Sequence, residues 1–75
     1  MKAIEPEYTL VGARIRMIRE ALDVTQADLA KRIGITRTSV NNIEAGRQRL
    51  LLHSVGVIAK ALGTSPKHLL RGVWW

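Results

Sequence analysis

Residues 25–46 read TQADLAKRIGITRTSVNNIEAG and predict two short helices joined by a tight turn. Thr25 and Thr36 each stand where a side-chain oxygen accepts a hydrogen bond from a free amide at a helix start, and Asp28 completes a capping box with Thr25. Gly34 lies between the helices, where a left-handed backbone costs glycine least. The stretch therefore predicts a helix, a sharp turn and a second helix.

The second of these helices has a narrow apolar face. Val40 and Ile43 are its only large apolar residues, so most of its surface is predicted to be exposed. Its outward positions carry hydrogen-bonding side chains, namely Arg37, Thr38, Ser39, Asn41 and Asn42. Because Arg pairs bidentately with guanine and Asn with adenine, this helix indicates insertion into the DNA major groove. The alternative is a solvated polar helix face.

The run TQADLAKRIGITRTSVNNIEAGR, residues 25–47, resembles the helix-turn-helix of the lambdoid-phage repressor and Cro family, which includes bacterial regulators of the xenobiotic-response-element type. Glutamine after the helix cap, alanine at the helix crossing, glycine in the turn and an Ile-Glu-x-Gly ending occur together here. The similarity extends over about residues 9–71. It implies an all-α, five-helix domain that binds operator DNA as a dimer and reads bases with the helix at about residues 36–45.

The resemblance also implies roles for individual residues. Base contacts are expected from Arg37, Thr38 and Asn42, and from Asn41 one step further round the helix. Phosphate contacts are expected from Gln26, Thr36, Ser39, Arg47 and Arg49, since helix-end amides, hydroxyls and guanidinium groups suit phosphate oxygens. A structural ion pair is expected between Arg19 and Glu44. The alternatives are a phosphate contact for Arg19 and plain solvation for Gln26, Arg47 and Arg49.

Length and charge restrict the class of protein. Seventy-five residues allow one domain, which buries only about 60% of its unfolded surface, so dimerisation would add stability. Twelve Lys and Arg against six Asp and Glu give a net charge of +6, which favours nucleic acid or an anionic membrane as partner. The spread of the arginines and the lack of a long apolar span favour double-stranded DNA. Without cysteine or an apolar signal segment, a bacterial or phage cytoplasm is expected.

Helical periodicity organises the segment before the motif. Residues 1–7 show no periodicity and are predicted to be a flexible arm. A helix is predicted from Tyr8 to Leu22, with one buried face formed by Leu10, Val11, Ile15, Ile18 and Leu22. Gly12 weakens this helix and allows another helix to come close. Arg14 falls within the apolar face and must either snorkel or find a partner.

Two further helices are predicted after the motif. Residues 50–62 form the fourth, with core positions at Val55, Ile58, Ala59 and Leu62. Ser65 and Pro66 then begin the fifth as cap and first-position proline. The DNA-binding domain therefore spans residues 8–71, and residues 72–75 form an apolar tail. The sequence departs from the family at Leu50 and Leu51, where Pro and a Ser-type cap are usual.

Apolar residues near the end of the chain suggest an interface. Leu50, Leu51, Trp74 and Trp75 are predicted to form the contact of a homodimer through the fourth and fifth helices. The sequence leaves two alternative roles open for the tryptophans, which could anchor the tail onto the same chain or mark the edge of a longer protein.

No arrangement of residues for catalysis or cofactor binding is present. His53 and His68 stand apart with no cysteine, so no metal site is predicted, and the chain is predicted not to be an enzyme. The predicted function is a sequence-specific DNA-binding regulator, a repressor or controller, that binds a palindromic operator as a homodimer. The alternative is an antitoxin or protein-interaction module that binds a partner through its C-terminal apolar surface. A third possibility is the amino-terminal piece of a two-domain repressor.

Overall fold

The computed structural model describes residues 5–73. It contains five α-helices, α1 (Pro6–Ala21), α2 (Gln26–Ile33), α3 (Arg37–Glu44), α4 (Leu52–Ala61) and α5 (Pro66–Leu70). These residues contain no strand, and none of their helices has the length and apolar composition that spanning a bilayer requires. The prediction of an all-α fold with five helices is confirmed.

The starts of α2 and α3 follow from local chemistry. Thr25 Oγ1 accepts from the backbone N of Asp28 at 3.0 Å, and Asp28 Oδ2 accepts from the backbone N of Thr25 at 3.3 Å, which is the predicted capping box. Thr36 Oγ1 accepts from the backbone N of Ser39 at 3.0 Å. Each cap satisfies an amide without a helical partner and contributes about 1 kcal/mol. Gly34 ends α2 with a φ of 76°.

Helix α1 begins earlier than the sequence predicted. Its first residue is Pro6 and its N-cap is Glu5, so Pro6 and Glu7 belong to the helix and not to the expected arm of residues 1–7. Pro6 itself indicates this earlier start. Proline is favoured at the first helical position because the backbone N–H that it lacks would have no helical partner there. Residues 1–4 of the arm lie outside the described residues.

The predicted apolar face of α1 is buried only in part. Val11 and Ile15 are in the core and Ile18 packs partly against it, whereas Leu10 and Leu22 are 37% and 51% exposed. The predicted burial of these two leucines is therefore wrong. Leu10 lies at the edge of the apolar arc, and Leu22 follows the last helical residue, so helical periodicity does not direct it to the core.

Arg14, also within that arc, finds its partner at the end of α5. Its Nη1 donates to the carbonyl oxygens of Leu69 at 3.2 Å, of His68 at 3.4 Å and of Arg71. The last carbonyls of a helix lack intrahelical partners and form the negative end of its dipole, so a guanidinium satisfies both needs. The contact fastens the short α5 to α1.

One core joins all five helices. Its buried apolar residues are Val11, Ile15, Val24, Leu29, Ala30, Val40, Ile43, Val55, Ile58, Ala59, Leu62 and Leu69. Helix α5 starts at Pro66 as predicted, with Ser65 Oγ accepting from the backbone N of His68 at 3.1 Å. Helix α4 starts at Leu52, two residues later than predicted, and its N-cap Leu51 makes no side-chain hydrogen bond. The missing cap follows directly from leucine at that position.

Candidate nucleic-acid interface

Helix α3 presents a polar face to solvent. Val40 and Ile43 are its buried apolar residues. Arg37, Thr38 and Asn41 are exposed, and Ser39 and Asn42 are half-buried. The surface of α3 thus carries an arginine and a threonine on its first turn and two asparagines on its second.

Two glycines let α1 lie directly against the end of α3. A Cβ atom at Gly12 would overlap the carbonyl oxygen of Ile43 and lie 2.8 Å from that of Glu44. Gly46 has a φ of 74°, and a Cβ atom there would lie 2.7 Å from the Cα atom of Thr9. The close approach predicted at Gly12 is therefore present. Because backbone meets backbone at both sites, the end of α3 is held at a defined distance from α1.

A buried ion pair also joins α1 to α3. Arg19 Nε donates to Glu44 Oε2 at 2.7 Å, and Arg19 Nη2 donates to Glu44 Oε1 at 3.0 Å. Arg19 Nη1 donates to the carbonyl oxygen of Val24 at 2.7 Å, and both charged residues are 7% exposed. The hydrogen bond to Glu44 raises the pKa of Arg19 despite its burial. The expected pair is present, and Arg19 is turned into the protein and not toward a phosphate.

Gln26 extends this network to the surface. It is half-buried at the first position of α2. Its Nε2 donates to Glu44 Oε1 at 3.1 Å and to Asn41 Oδ1 at 3.3 Å. Gln26 therefore braces α3, and its side chain is not simply solvated.

The hydroxyl groups at the start of α3 bind each other. Thr36 Oγ1 donates to Ser39 Oγ at 3.0 Å and also accepts from the backbone N of Ser39. The Thr36 hydroxyl hydrogen is used in this bond, so only the Ser39 hydroxyl hydrogen can reach an acceptor outside the pair. The pair Thr36 and Ser39 therefore offers one hydroxyl donor to a phosphate, where the sequence suggested two.

The two arginines of the loop between α3 and α4 differ in their surroundings. The side chain of Arg47 is exposed and makes no hydrogen bond or ion pair with the rest of residues 5–73. Arg49 Nη2 lies 3.3 Å from Glu5 Oε1, so this arginine already has an acidic partner. Sequence reasoning missed Glu5, because 44 residues separate the two and no local pattern links them.

The predicted dimer residues are only partly at the surface. Leu51 is 74% exposed, but Leu50 is half-buried and packs against the core, so it is not the free surface residue that the sequence suggested. Trp74 and Trp75 lie outside the described residues. Leu52, which was not among the predicted dimer residues, is 76% exposed. Leu52 is the first residue of α4, and the buried positions of this helix begin only at Val55.

Comparisons with known proteins agree with this fold. A family model described as helix-turn-helix matches residues 15–69. The control protein C.BamHI of Bacillus amyloliquefaciens is 37% identical over 62 residues, which cover 81% of this chain and 76% of that protein. The repressor protein C2 of Salmonella phage P22 is 33% identical over 63 residues, which cover 84% of this chain but 29% of that protein.

Two solved structures show the same arrangement of helices. The restriction-modification controller protein C.AhdI from Aeromonas hydrophila matches with a TM-score of 0.82 at 29% identity, over 87% of this chain and 98% of that chain. The P22 c2 repressor in complex with a synthetic operator matches with a TM-score of 0.77 at 33% identity, over 84% of this chain and 96% of that chain.

The fold and the exposed α3 define a lambda repressor-like helix-turn-helix DNA-binding domain. This chain belongs to that family of transcriptional regulators, which are typically not enzymes.

Proposed function

We propose that this chain is a repressor or controller that binds a roughly palindromic operator as a homodimer and regulates transcription there. The observation that supports this most directly is the exposed first turn of α3, where Arg37 and Thr38 project from a helix whose other end is held by the buried pair of Arg19 and Glu44. A helix displayed in this way fits the major groove of B-DNA.

Base recognition falls to three side chains of α3. Arg37 donates two hydrogen bonds to the O6 and N7 atoms of a guanine, and Asn42 pairs with an adenine. Thr38 contacts a thymine methyl group or a phosphate. Arg37 supports this assignment best, because its exposed guanidinium makes no bond within the described residues and is free for DNA.

Phosphate contacts position the domain on the duplex. Gln26 stands at the first position of α2, where free amides and the helix dipole favour an anion. Thr36 and Ser39 supply one hydroxyl donor, and Arg47 supplies a guanidinium that has no partner within residues 5–73. Arg49 contacts a phosphate only when that contact replaces or shares its bond with Glu5. These contacts set orientation and salt dependence and carry no sequence preference.

Dimerisation uses the exposed start of α4. Leu51 and Leu52 present two adjacent, largely exposed leucines. Leu52 also lines an apolar groove of about 340 Å³, together with Tyr8 and Val73. In this proposal a two-fold axis near the start of α4 relates the two copies of α3, which then enter successive major grooves about 34 Å apart along the DNA.

Binding-site selection from random duplex DNA tests the proposal. Wild-type protein is expected to select a palindromic site, and Arg37→Ala is expected to lose about 1–3 kcal/mol of specific binding and to relax preference at one base pair. The matched control is Arg47→Ala, which should weaken all duplexes alike and flatten the salt slope by about 0.9. If the Arg37 variant kept the base preference of wild type, Arg37 would not be a base-contacting residue. A wild-type protein that selected no preferred sequence would refute the proposal.

A second candidate function is an antitoxin-like module that binds a partner protein. The observation that favours it is the same pair of exposed leucines, which suits a different protein as well as a second copy. Sedimentation at high micromolar concentration separates the two. Self-association that Leu51→Ser and Leu52→Ser abolish supports the homodimer, whereas a chain that stays monomeric favours the partner protein.

A further inference from the structure

The side chain of Asn41 is held at one end and free at the other. Its Oδ1 accepts from Gln26 Nε2 at 3.3 Å. Its Nδ2, in contrast, has no acceptor among residues 5–73. Because Asn41 is exposed on the polar face of α3, this NH2 group is accessible to a ligand. The unused capacity of this side chain is therefore two hydrogen-bond donors.

The buried ion pair of Arg19 and Glu44 determines the orientation of the side-chain amides of Gln26 and Asn41. The Glu44 carboxylate only accepts hydrogen bonds, so the group of Gln26 that faces it at 3.1 Å must be the NH2 group. The same NH2 group faces Asn41, which must then present its oxygen. Arg19 holds Glu44 in place through two hydrogen bonds. The orientation of Asn41 thus follows from a chain of contacts that begins at a buried charge.

We propose that Asn41 contacts DNA as a hydrogen-bond donor through Nδ2, and that Gln26 is the residue that positions it. The inference rests on the proposed function, and it revises the adenine contact that the residue type suggests. Asn pairs with adenine by accepting and donating at once, in the plane of the base. An amide whose carbonyl is bound to Gln26 does not turn freely into that plane.

The DNA group that meets Asn41 is accordingly an acceptor. Two sources have this chemistry, a base edge in the major groove, such as guanine O6 or N7 or thymine O4, and a phosphate oxygen. Both are open to a donor on the exposed face of α3 whose carbonyl is bound to Gln26 at the start of α2.

The neighbouring Asn42 supplies a matched control. It has the same side chain on the same helix, but that side chain makes no hydrogen bond with Gln26 or with any other residue of the described chain. If Gln26 acts through Asn41, its removal must interact with removal of Asn41 and not with removal of Asn42.

Two double-mutant cycles on the operator selected by wild-type protein test this. The first combines Gln26→Ala with Asn41→Ala, and the second combines Gln26→Ala with Asn42→Ala. In the first cycle, the double variant should lose less affinity than the product of the two single losses, by about threefold or more. In the second, the losses should multiply to within about twofold. Thermal unfolding of each free variant verifies that it is folded at the binding temperature.

Site selection with the single variants then locates the acceptor. If Asn41→Ala and Gln26→Ala relax preference at the same base pair, the acceptor is on that base. Weaker binding with unchanged preference puts it on a phosphate.

Losses that multiply in both cycles would overturn the inference while leaving the proposed function intact. So would an Asn41→Ala variant that binds like wild type, or an adenine preference that depends on Asn41 and survives Gln26→Ala. Wild-type protein without any preferred sequence would overturn the proposed function, and this inference with it.

Discussion

The starts of α3 and α4 are built in opposite ways. At α3, Thr36 accepts a hydrogen bond from a backbone amide at 3.0 Å, and the far end of the helix is held by Glu44. At α4, the N-cap is Leu51, which offers no side-chain bond, and it and Leu52 are largely exposed. Helix α3 is therefore oriented from within the domain, whereas the first turn of α4 has apolar surface where a polar cap would have stabilised it.

The largest expected effect comes from removing the internal support of α3. Arg19→Ala leaves the Glu44 carboxylate buried without its partner, so the free energy of unfolding should fall by about 3–5 kcal/mol. Urea denaturation measures it. The control is Arg16→Ala, which breaks an exposed pair with Glu20 at 3.4 Å and should cost about 1 kcal/mol or less. Equal losses in the two variants would mean that the buried pair has no special part in holding α3.

The second prediction concerns the close approach of α1 to α3. Gly12→Ala places a methyl group against the backbone oxygens of Ile43 and Glu44, so it should destabilise the protein by about 1–3 kcal/mol and weaken operator binding by shifting α3. Gly56→Ala is the control, because nothing lies within 4 Å of a Cβ atom there.

Gly56 lies inside α4, so its replacement should stabilise the protein by up to about 1 kcal/mol. Thermal unfolding followed by circular dichroism distinguishes the opposite signs. If both variants were stabilised, the contact between α1 and α3 would be looser than the structure shows.

Most of the fold was predictable because its decisive signals are local. Thr25, Thr36 and Ser65 cap helices where their neighbours in sequence predicted it. Gly34 has the left-handed backbone expected of it. A cap or a turn involves residues three or four apart, so its chemistry is visible in the sequence itself.

What could not be predicted depends on how helices cross. The pairs Gln26 with Asn41 and Arg49 with Glu5 join residues from different helices or loops, and their reach is set by packing of the core. Leu10 shows the same limit, since periodicity gives a direction around the helix axis but not which parts of that face another helix covers. The residues that bind DNA remain a prediction from exposure and residue type.

The third prediction restores the cap that α4 lacks. Leu51→Ser supplies a side-chain acceptor at the N-cap and should raise the free energy of unfolding of the monomer by about 0.5–1 kcal/mol, while it weakens self-association. Thermal unfolding at low concentration and sedimentation at high concentration measure the two effects. The converse control is Thr36→Ala, which should lose about 1 kcal/mol. If Leu51→Ser weakened both properties, Leu51 would support the fold of a single chain and the contrast between the two helix starts would fail.

The smallest effect is a pH dependence at the capped start of α2. Hydrogen bonds from the Thr25 hydroxyl and backbone amide lower the pKa of Asp28 below its ordinary value of 3.8. Because the folded state has the lower pKa, the stabilisation is present above 3.8 and is lost as the pH falls through the depressed value. The melting temperature of Asp28→Asn should therefore lie below that of wild type at neutral pH and converge with it in acid.

Asp23→Asn controls for the loss of a negative charge in a chain of net charge +6, since Asp23 makes no side-chain hydrogen bond in the described part of the chain. A difference that persists unchanged in acid would mean that the Asp28 carboxylate is not what stabilises this cap, and the start of α2 would then rely on Thr25 alone.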